Sequence, residues 1–144
     1  MKRTVERVQL QRDPYLVWNA FIDLLAMEEY DDLTAVQRKA HLVFWYDSEV
    51  QNGGHGQYFD NRGVNRLAET VAALRDLGLP CHAQVLSRAA AALAAAEPGS
   101  EWVDALYDGF IDELDAEFHR CTLTVTEALE RHLGSHADEY VEEK

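Results

Sequence analysis

Apolar residues recur along most of this chain at steps of three and four. Tyr15, Trp18, Phe21, Ile22 and Leu25 form the first such series, a spacing that lines one face of a helix. Asp13-Pro14 precedes it, a capping side chain followed by proline at the first helical position. A helix is therefore expected to about Glu28, and Asp31-Asp32 breaks it. Thr34 to Gln37 has the form Thr-x-x-Gln of a capping box. It opens a second helix to about Gln51, with Val36, Ala40, Val43, Phe44 and either Tyr46 or Val50 facing inward. Asn52-Gly53-Gly54 stops that helix, because Asn and Gly tolerate the left-handed conformation that closes one. A short aromatic turn, Gln57-Tyr58-Phe59, follows.

The next helix is expected from about Val64 to Leu77, closed by Gly78. Pro80 opens another, which runs through an alanine-rich stretch and ends at Pro98-Gly99. The alanines there favour helix and allow close packing. Ser100 caps a last long helix reaching to about His132, interrupted if at all by Thr122, Thr124, Val125 and Thr126, whose branching disfavours helix. Gly134-Ser135 separates a short acidic tail helix. Val5 to Leu10 alternate weakly, but one short strand alone makes no sheet. There is no internal repeat and no linker long enough to divide domains. The pattern predicts one all-α domain over residues 1–144, a single compact bundle of about six helices, with residues 1–12 as an N-terminal arm.

Charge changes the picture. The 144 residues carry 26 acidic and 13 basic side chains, a formal net charge of −13. That balance excludes an ordinary nucleic-acid binder, which meets phosphate with a basic face, and disfavours anionic lipid. An apolar share of 47% argues against disorder. The longest aromatic-aliphatic run, Leu42 to Tyr46, is far short of a membrane span. Lys2, Arg3, Arg7 and Arg12 are not followed by an apolar stretch, so no secretory signal is expected. Two cysteines, Cys81 and Cys121, make no disulfide framework; they read as small buried hydrophobes in a reducing cytoplasm.

The charge is unevenly placed. Residues 1–96 hold 12 acidic and 10 basic side chains, net −2, whereas residues 97–144 hold 14 and 3, net −11. Between Glu97 and Glu117 there are eight carboxylates and no Lys or Arg. Projected at about 100° per residue, Glu101, Asp104, Asp108, Asp112 and Asp115 fall in one arc. Val103, Leu106, Tyr107, Phe110, Leu114 and Phe118 take the other side. Like charges four apart destabilise a helix by a few tenths of a kcal/mol per pair. An acidic line without interspersed cations therefore suits a partner with a basic groove. The magnitudes constrain that idea. From Glu101 to Asp115 a helix rises about 21 Å at about 1.5 Å per residue, over which duplex DNA carries about 12 charges. Five carboxylates are too few alone. Glu97, Glu113, Glu117 and the tail residues Asp138, Glu139, Glu142 and Glu143 add to them, and a symmetric dimer doubles the count.

The segment from Glu49 to Asn61 is the most distinctive in the chain. Its glycines lack the Lys and Ser/Thr of a phosphate-binding loop. Asn52, Gly53 and Gly54 are expected to make a tight turn and Tyr58 and Phe59 to dock in the core. Glu49, Gln57 and Asn61 are expected to hydrogen-bond turn backbone that lacks other partners. With Glu49, Asn52, Gly53, Gly54, Gln57, Phe59 and Asn61 in place, the segment resembles the Glu-x-x-Asn-Gly-Gly-x-x-Gln-x-Phe-x-Asn signature of the bacterial DNA-mimic protein family. A second element, Leu114-Asp115-Ala116-Glu117-Phe118, is similar to the family's Leu-Asp-x-x-Phe pattern. The resemblance covers about residues 30–133, and His55 departs from it by standing where the family usually has Phe. It implies an all-α domain, often dimeric, with no known catalytic residues. It also implies an acidic surface that imitates DNA and occupies helix-turn-helix regulators or histone-like proteins.

Other constellations are weaker. His132 and His136 have the i,i+4 spacing of metal ligands, but Gly134 between them is expected to end the helix, and no third ligand is evident. Asp112, Asp115 and His119 form a carboxylate-histidine set without the paired Glu-x-x-His motifs of a di-metal bundle. Trp18, Trp45 and Trp102 fall on apolar faces and read as core. The leading expectation is a non-enzymatic, cytoplasmic, cofactor-free protein whose carboxylates Glu101, Asp104, Asp108, Asp112 and Asp115 bind a basic DNA-binding protein. The alternatives are an acidic interaction domain, such as an antitoxin or immunity-type inhibitor of one basic protein, and a metal-dependent enzyme built on Glu49, His55 and the C-terminal carboxylates.

Overall fold

The computed structural model describes residues 1–144, folded into eight helices joined by short turns. They are α1 (Arg7–Arg12), α2 (Leu16–Met27), α3 (Ala35–Arg62), α4 (Leu67–Asp76), α5 (Pro80–Ala95), α6 (Trp102–Ala105), α7 (Asp108–Arg120) and α8 (Val125–His136). The fold is all-α, as the periodicity predicts, with one small addition. β1 (Arg3–Val5) pairs in parallel with β2 (Val141–Glu143), Arg3 opposite Val141 and Val5 opposite Glu143. The first residues are thus no free arm, and the acidic tail is no helix. It makes a single turn at Ala137–Glu139 and then a strand. Each end supplies the partner that a three-residue strand lacks by itself.

α3 begins as its sequence dictates. Thr34 Oγ1 accepts from the Gln37 amide at 3.3 Å, and Gln37 Oε1 accepts from the Thr34 amide at 3.0 Å, the two halves of a capping box. Gln37 does more than cap. Its Nε2 donates to the carbonyl oxygens of Met1 and Glu139 at 2.5 and 2.6 Å, so a fully buried amide ties both chain ends to the start of α3.

The helix does not stop at Asn52-Gly53-Gly54. Gly53 and Gly54 leave helical geometry, with Gly54 at φ +77°, and the chain then resumes its helix to Arg62. The expected break is a kink, and the expected aromatic turn is the helical segment after it. Around α3 pack Phe21, Leu24 and Leu25 of α2, Leu74 of α4, Leu114 and Phe118 of α7, and Leu129 of α8, and Leu86 of α5 joins the same core from beside α4 and α7, all buried. Trp18 and Trp102 are half-buried at the margin of this core, whereas Trp45, expected in the core, is half-buried outside it with Arg62 over its ring.

The predicted long C-terminal helix is three pieces. Leu106 and Tyr107 are extended, which turns Leu106 into the core while leaving Val103 and Tyr107 exposed. The chain breaks again at Cys121, and Thr124 caps α8 by accepting from the Glu127 amide at 3.1 Å. That second break lies beside the branched residues that mark it in the sequence. Gly134 does not end α8, which continues to His136.

Cys81 and Cys121 are joined in a disulfide across 40 residues. This overturns their reading as free buried hydrophobes: Cys81 is exposed near the start of α5, and Cys121 follows α7. It also removes the cysteine-based argument for a reducing compartment. No helix is long and apolar enough to cross a membrane.

Candidate functional site

The kink in α3 is held by a residue from α7. His55, the first residue beyond Gly54, is completely buried. Its amide donates to Asp115 Oδ1 at 2.8 Å, and its ring Nδ1 donates to the same oxygen at 2.7 Å. A carboxylate only accepts, so Nδ1 carries the proton and Nε2 accepts from the Tyr46 hydroxyl, 2.8 Å away. The Asp115 carboxylate therefore caps the helix segment that restarts at His55, where free amides and the helix dipole favour negative charge.

Both glycines have a steric reason. A Cβ on Gly54 would stand 2.5 Å from Asp115 Oδ2, and one on Gly53 would stand 2.0 Å from Gln57 Oε1. Gln57 lies over Gly53 and accepts from Asn52 Nδ2 at 3.2 Å. Asn61 Nδ2 donates to Glu49 Oε2 at 2.6 Å, bridging the two halves of α3. These polar side chains thus pair with one another rather than with turn backbone, and Asp115 supplies the backbone contact. Phe59 is buried against Trp102 and the His55 ring, with centroids 5.4 and 6.1 Å apart.

Burial holds the His55 pKa below the ordinary histidine value, against the opposing pull of Asp115, and raises the Tyr46 hydroxyl well above the tyrosine range. A neutral imidazole and a protonated phenol are the forms this hydrogen-bonded chain requires. The ring nitrogens of His55 and the Tyr46 hydroxyl are all paired and neither side chain reaches solvent, while the Asp115 carboxylate is partly exposed. Its chemistry is to fix the relation of α7 to α3.

The acidic residues fall into two groups. Asp115 is turned inward to His55. Glu101, Asp104, Asp108 and Asp112 are exposed, and none of them enters an ion pair. They do not line one straight helix. Glu101 and Asp104 belong to the start and body of α6, and Asp108 and Asp112 to α7 beyond the extended Leu106-Tyr107 link. Glu113 and Glu117 are answered by Arg88 of α5, which contacts Glu117 Oε1 and lies 3.6 Å from Glu113 Oε2. One guanidinium therefore offsets part of the eight-carboxylate segment, a partner that the local sequence does not reveal.

The histidines take structural positions. His132 and His136 stack with centroids 4.4 Å apart. His132 Nε2 hydrogen-bonds the Tyr140 hydroxyl at 2.6 Å, and His136 Nδ1 donates to the His132 carbonyl oxygen at 3.0 Å. His119 is exposed, with its ring against Phe118 at 5.4 Å. No group of three or more His, Cys, Asp or Glu side chains is arranged to hold a metal ion. Sequence reasoning missed Tyr46 as the partner of His55 and Arg88 as the partner of Glu113 and Glu117. Tyr46 has a local signal, since it falls on the inward face of α3; Arg88 has none.

A family model described as DMP19-like protein matches residues 31–143. No curated protein and no solved structure matches the chain.

Proposed function

Because the chain belongs to the DMP19-like protein family, we propose that it is a DNA-mimic-type binding protein. In this reading its exposed carboxylates occupy the basic DNA-binding surface of a partner, such as a transcription regulator or a histone-like protein. The observation that carries it is the set of Glu101, Asp104, Asp108 and Asp112, exposed and without a cation in contact. Leu106, Leu114 and Phe118, all buried, anchor the segment that presents them. Repulsion among uncompensated carboxylates costs stability, and a basic partner relieves it. Asp115 leaves the contacting set, because its carboxylate is committed to His55.

The reading is non-enzymatic. The His55 and Tyr46 side chains are buried and bonded to one another and to Asp115 Oδ1, which supports a structural rather than a chemical role for them. It is also a reading in which a second copy matters. Four carboxylates are few beside duplex DNA, which carries one charge per roughly 1.7 Å of axis, and a symmetric homodimer brings the number to eight. A DNA-binding partner implies the cytoplasm.

A second reading has that same shortfall in its favour: an acidic interaction domain that binds one basic protein without imitating DNA. One experiment separates them. The protein is mixed with a bacterial histone-like protein, and binding is measured against salt and against competing duplex DNA. Mimicry predicts an affinity that falls steeply with salt, exclusion of the protein by DNA, and loss of binding in a variant carrying D104N, D108N and D112N. Binding that survives saturating DNA selects the second reading. Unchanged binding by the triple variant removes this segment from both.

A further inference from the structure

Where α3 ends and α4 begins, the surface holds a pocket of about 110 Å³, open to solvent at the exposed Arg62 and Arg66. Tyr30, His41, Trp45, Tyr58, Arg62 and Arg66 are among the residues that line it. Two guanidiniums on one small cavity are notable in a chain of net charge −13. Both lie over the faces of aromatic rings. Arg62 Cζ lies 3.5 Å from the Trp45 ring centroid, and Arg66 Cζ lies 3.7 Å from that of Tyr30. Stacking of this kind orients the plane of the guanidinium and leaves its N–H edge free to meet an oxyanion in two-point fashion.

The donors on that edge are underused. Arg62 makes no hydrogen bond and no ion pair within the chain, although the carboxylates of Glu49 and Glu29 act on it from farther away. Arg66 reaches only surface carboxylates, Glu69 at 3.4 Å and Asp31 at 3.8 Å. His41 adds an acceptor. Its Nδ1 donates to the Leu25 carbonyl oxygen at 3.0 Å, so its Nε2 is left without a partner in the chain. Burial keeps this ring neutral, helped by the charges of Arg62 and Arg66 and opposed by Glu29 and by the Leu25 hydrogen bond.

We propose that the Arg62–Arg66 cavity binds a phosphate group, with the two guanidinium forks on its oxygens and His41 Nε2 facing its remaining proton. The size fits: about 110 Å³ is several times the roughly 10–15 Å³ that one water needs on the same measure, enough for one phosphate head. The donor and acceptor set selects phosphate over carboxylate. A carboxylate accepts only and would set its oxygens against an unprotonated nitrogen, whereas a phosphate group near its second pKa of about 6 still carries a hydroxyl. The site is built by α3, α4 and the turn before α3, not by the α6–α7 acidic segment, and so is independent of the proposed partner surface.

The test uses the ¹⁵N-labelled full chain titrated with inorganic phosphate, methyl phosphate, acetate and chloride at matched ionic strength. The resonances of the Arg62 and Arg66 Nε–H and the Trp45 Nε1–H groups are followed. Saturable shifts with either phosphate, at least about tenfold tighter than with acetate, are expected. A preference between the two shows whether the site takes free phosphate or a phosphomonoester. Arg62→Gln should weaken binding about tenfold or more, and Arg66→Lys, which keeps the charge but loses the fork, should weaken it as well. Shifts that follow ionic strength alike for all four salts overturn the proposal. Equal affinity for acetate, or parental affinity in both variants, overturns it too.

Discussion

Gly54 and Asp115 are shaped to one another. A Cβ on Gly54 would stand 2.5 Å from Asp115 Oδ2, and Asp115 Oδ1 accepts from the amide of the next residue, His55, at 2.8 Å. The glycine permits the carboxylate to approach, and the carboxylate justifies the kink by capping the helix that restarts there. Two segments far apart in sequence, Asn52-Gly53-Gly54 and Leu114-Asp115, thereby form one structural unit. Its consequence for function is indirect. α7 carries Asp108 and Asp112 outward on the same helix that carries Asp115 inward.

The unit predicts a non-additive pair of substitutions. Gly54→Ala places a side chain at φ +77°, ψ −177°, a region that only glycine occupies readily, and forces it onto Asp115. A loss of about 3 kcal/mol is expected. Asp115→Ala removes the acceptor for two His55 donors, at a similar cost of about 3 kcal/mol. In the double variant the clash is gone while the backbone strain and the unpaired His55 donors remain, so the combined loss should fall short of the sum by more than about 1 kcal/mol. Urea unfolding of the four proteins checks this. Strict additivity would show that the two residues do not meet.

The buried histidines predict acid lability. His41, His55, His82 and His132 all have pKa values held below 6.5 chiefly by burial, His132 at about 4. The folded chain keeps these rings neutral, while the unfolded chain protonates them as pH falls through about 6.5. The unfolded state then binds more protons, so the stabilisation is complete above about pH 6.5 and is lost as pH falls below it. For His132 the loss continues to about pH 4. Each fully titrated ring contributes a slope of about 1.4 kcal/mol per pH unit. Asp47, whose pKa is raised by burial, acts in the opposite sense but only near the carboxylate range. The expected result is a urea midpoint that is flat from pH 8 to 7 and falls steeply from pH 6.5 to 5. A midpoint unchanged to pH 5 contradicts the neutral rings.

His82 isolates one of these terms. Its Nδ1 is buried with no hydrogen-bond partner, and its ring stands edge-on to Phe118 at 5.0 Å. His82→Phe keeps the ring and removes the orphan atom. Replacing an unsatisfied buried group by an apolar one of the same shape is neutral to favourable, so stability at pH 7 should rise by about 1 kcal/mol. The pH slope below 6.5 should also shrink by about one proton. Differential scanning calorimetry at pH 7 and pH 5.5 measures both.

How far the sequence carries depends on where each determinant lies. The Thr34-x-x-Gln37 box was readable, because both of its hydrogen bonds are local, and it stands as written. The glycine pair was readable as an interruption. That the helix resumes was not, since its cap comes from Asp115. The break at Leu106-Tyr107 has no proline or glycine at it, and Val103, Tyr107 and Phe110 continue the apolar spacing. Only the docking of Leu106 in the core selects the extended form. The Cys81–Cys121 bond and the Arg88–Glu117 contact are tertiary facts without a spacing rule. Helical projection therefore puts the acidic segment on one straight line, whereas the chain bends at Leu106-Tyr107 and one of the five carboxylates, Asp115, turns in to cap the kink of α3.

Reducing the disulfide should loosen that acidic segment first. The bond closes a loop across a separation of 40 residues, which the chain-entropy relation values at about 4 kcal/mol. α6 and α7 lie entirely inside the loop. With a urea dependence of about 2 kcal/mol/M, the double variant Cys81→Ser, Cys121→Ser should lose about 2 M in its unfolding midpoint. Hydrogen exchange should quicken most at residues 100–121, in the variant and in the parent treated with a reductant. Equal quickening throughout the helices would mean that the bond stabilises the whole fold rather than holding this segment.

Gln37 is where the two chain ends are tested. Its Nε2 bonds to Met1 and Glu139 are the side-chain link from α3 to both termini, and beyond them the strands continue with Arg7 donating to the Lys144 carbonyl and Lys144 to that of Val5. Gln37→Leu keeps comparable bulk in a fully buried position but deprives two carbonyls of their donor and removes half of the capping box. The expected cost is about 2 kcal/mol, since buried acceptors left unpaired cost about 1–3 kcal/mol. Its distribution decides the role. If Gln37 clamps the ends, amide exchange at Arg7 and Lys144 accelerates well beyond the change in global stability, because the β1–β2 pair opens locally. If it serves only as a cap, exchange accelerates at the first turn of α3, and the strand amides change no more than the global value requires.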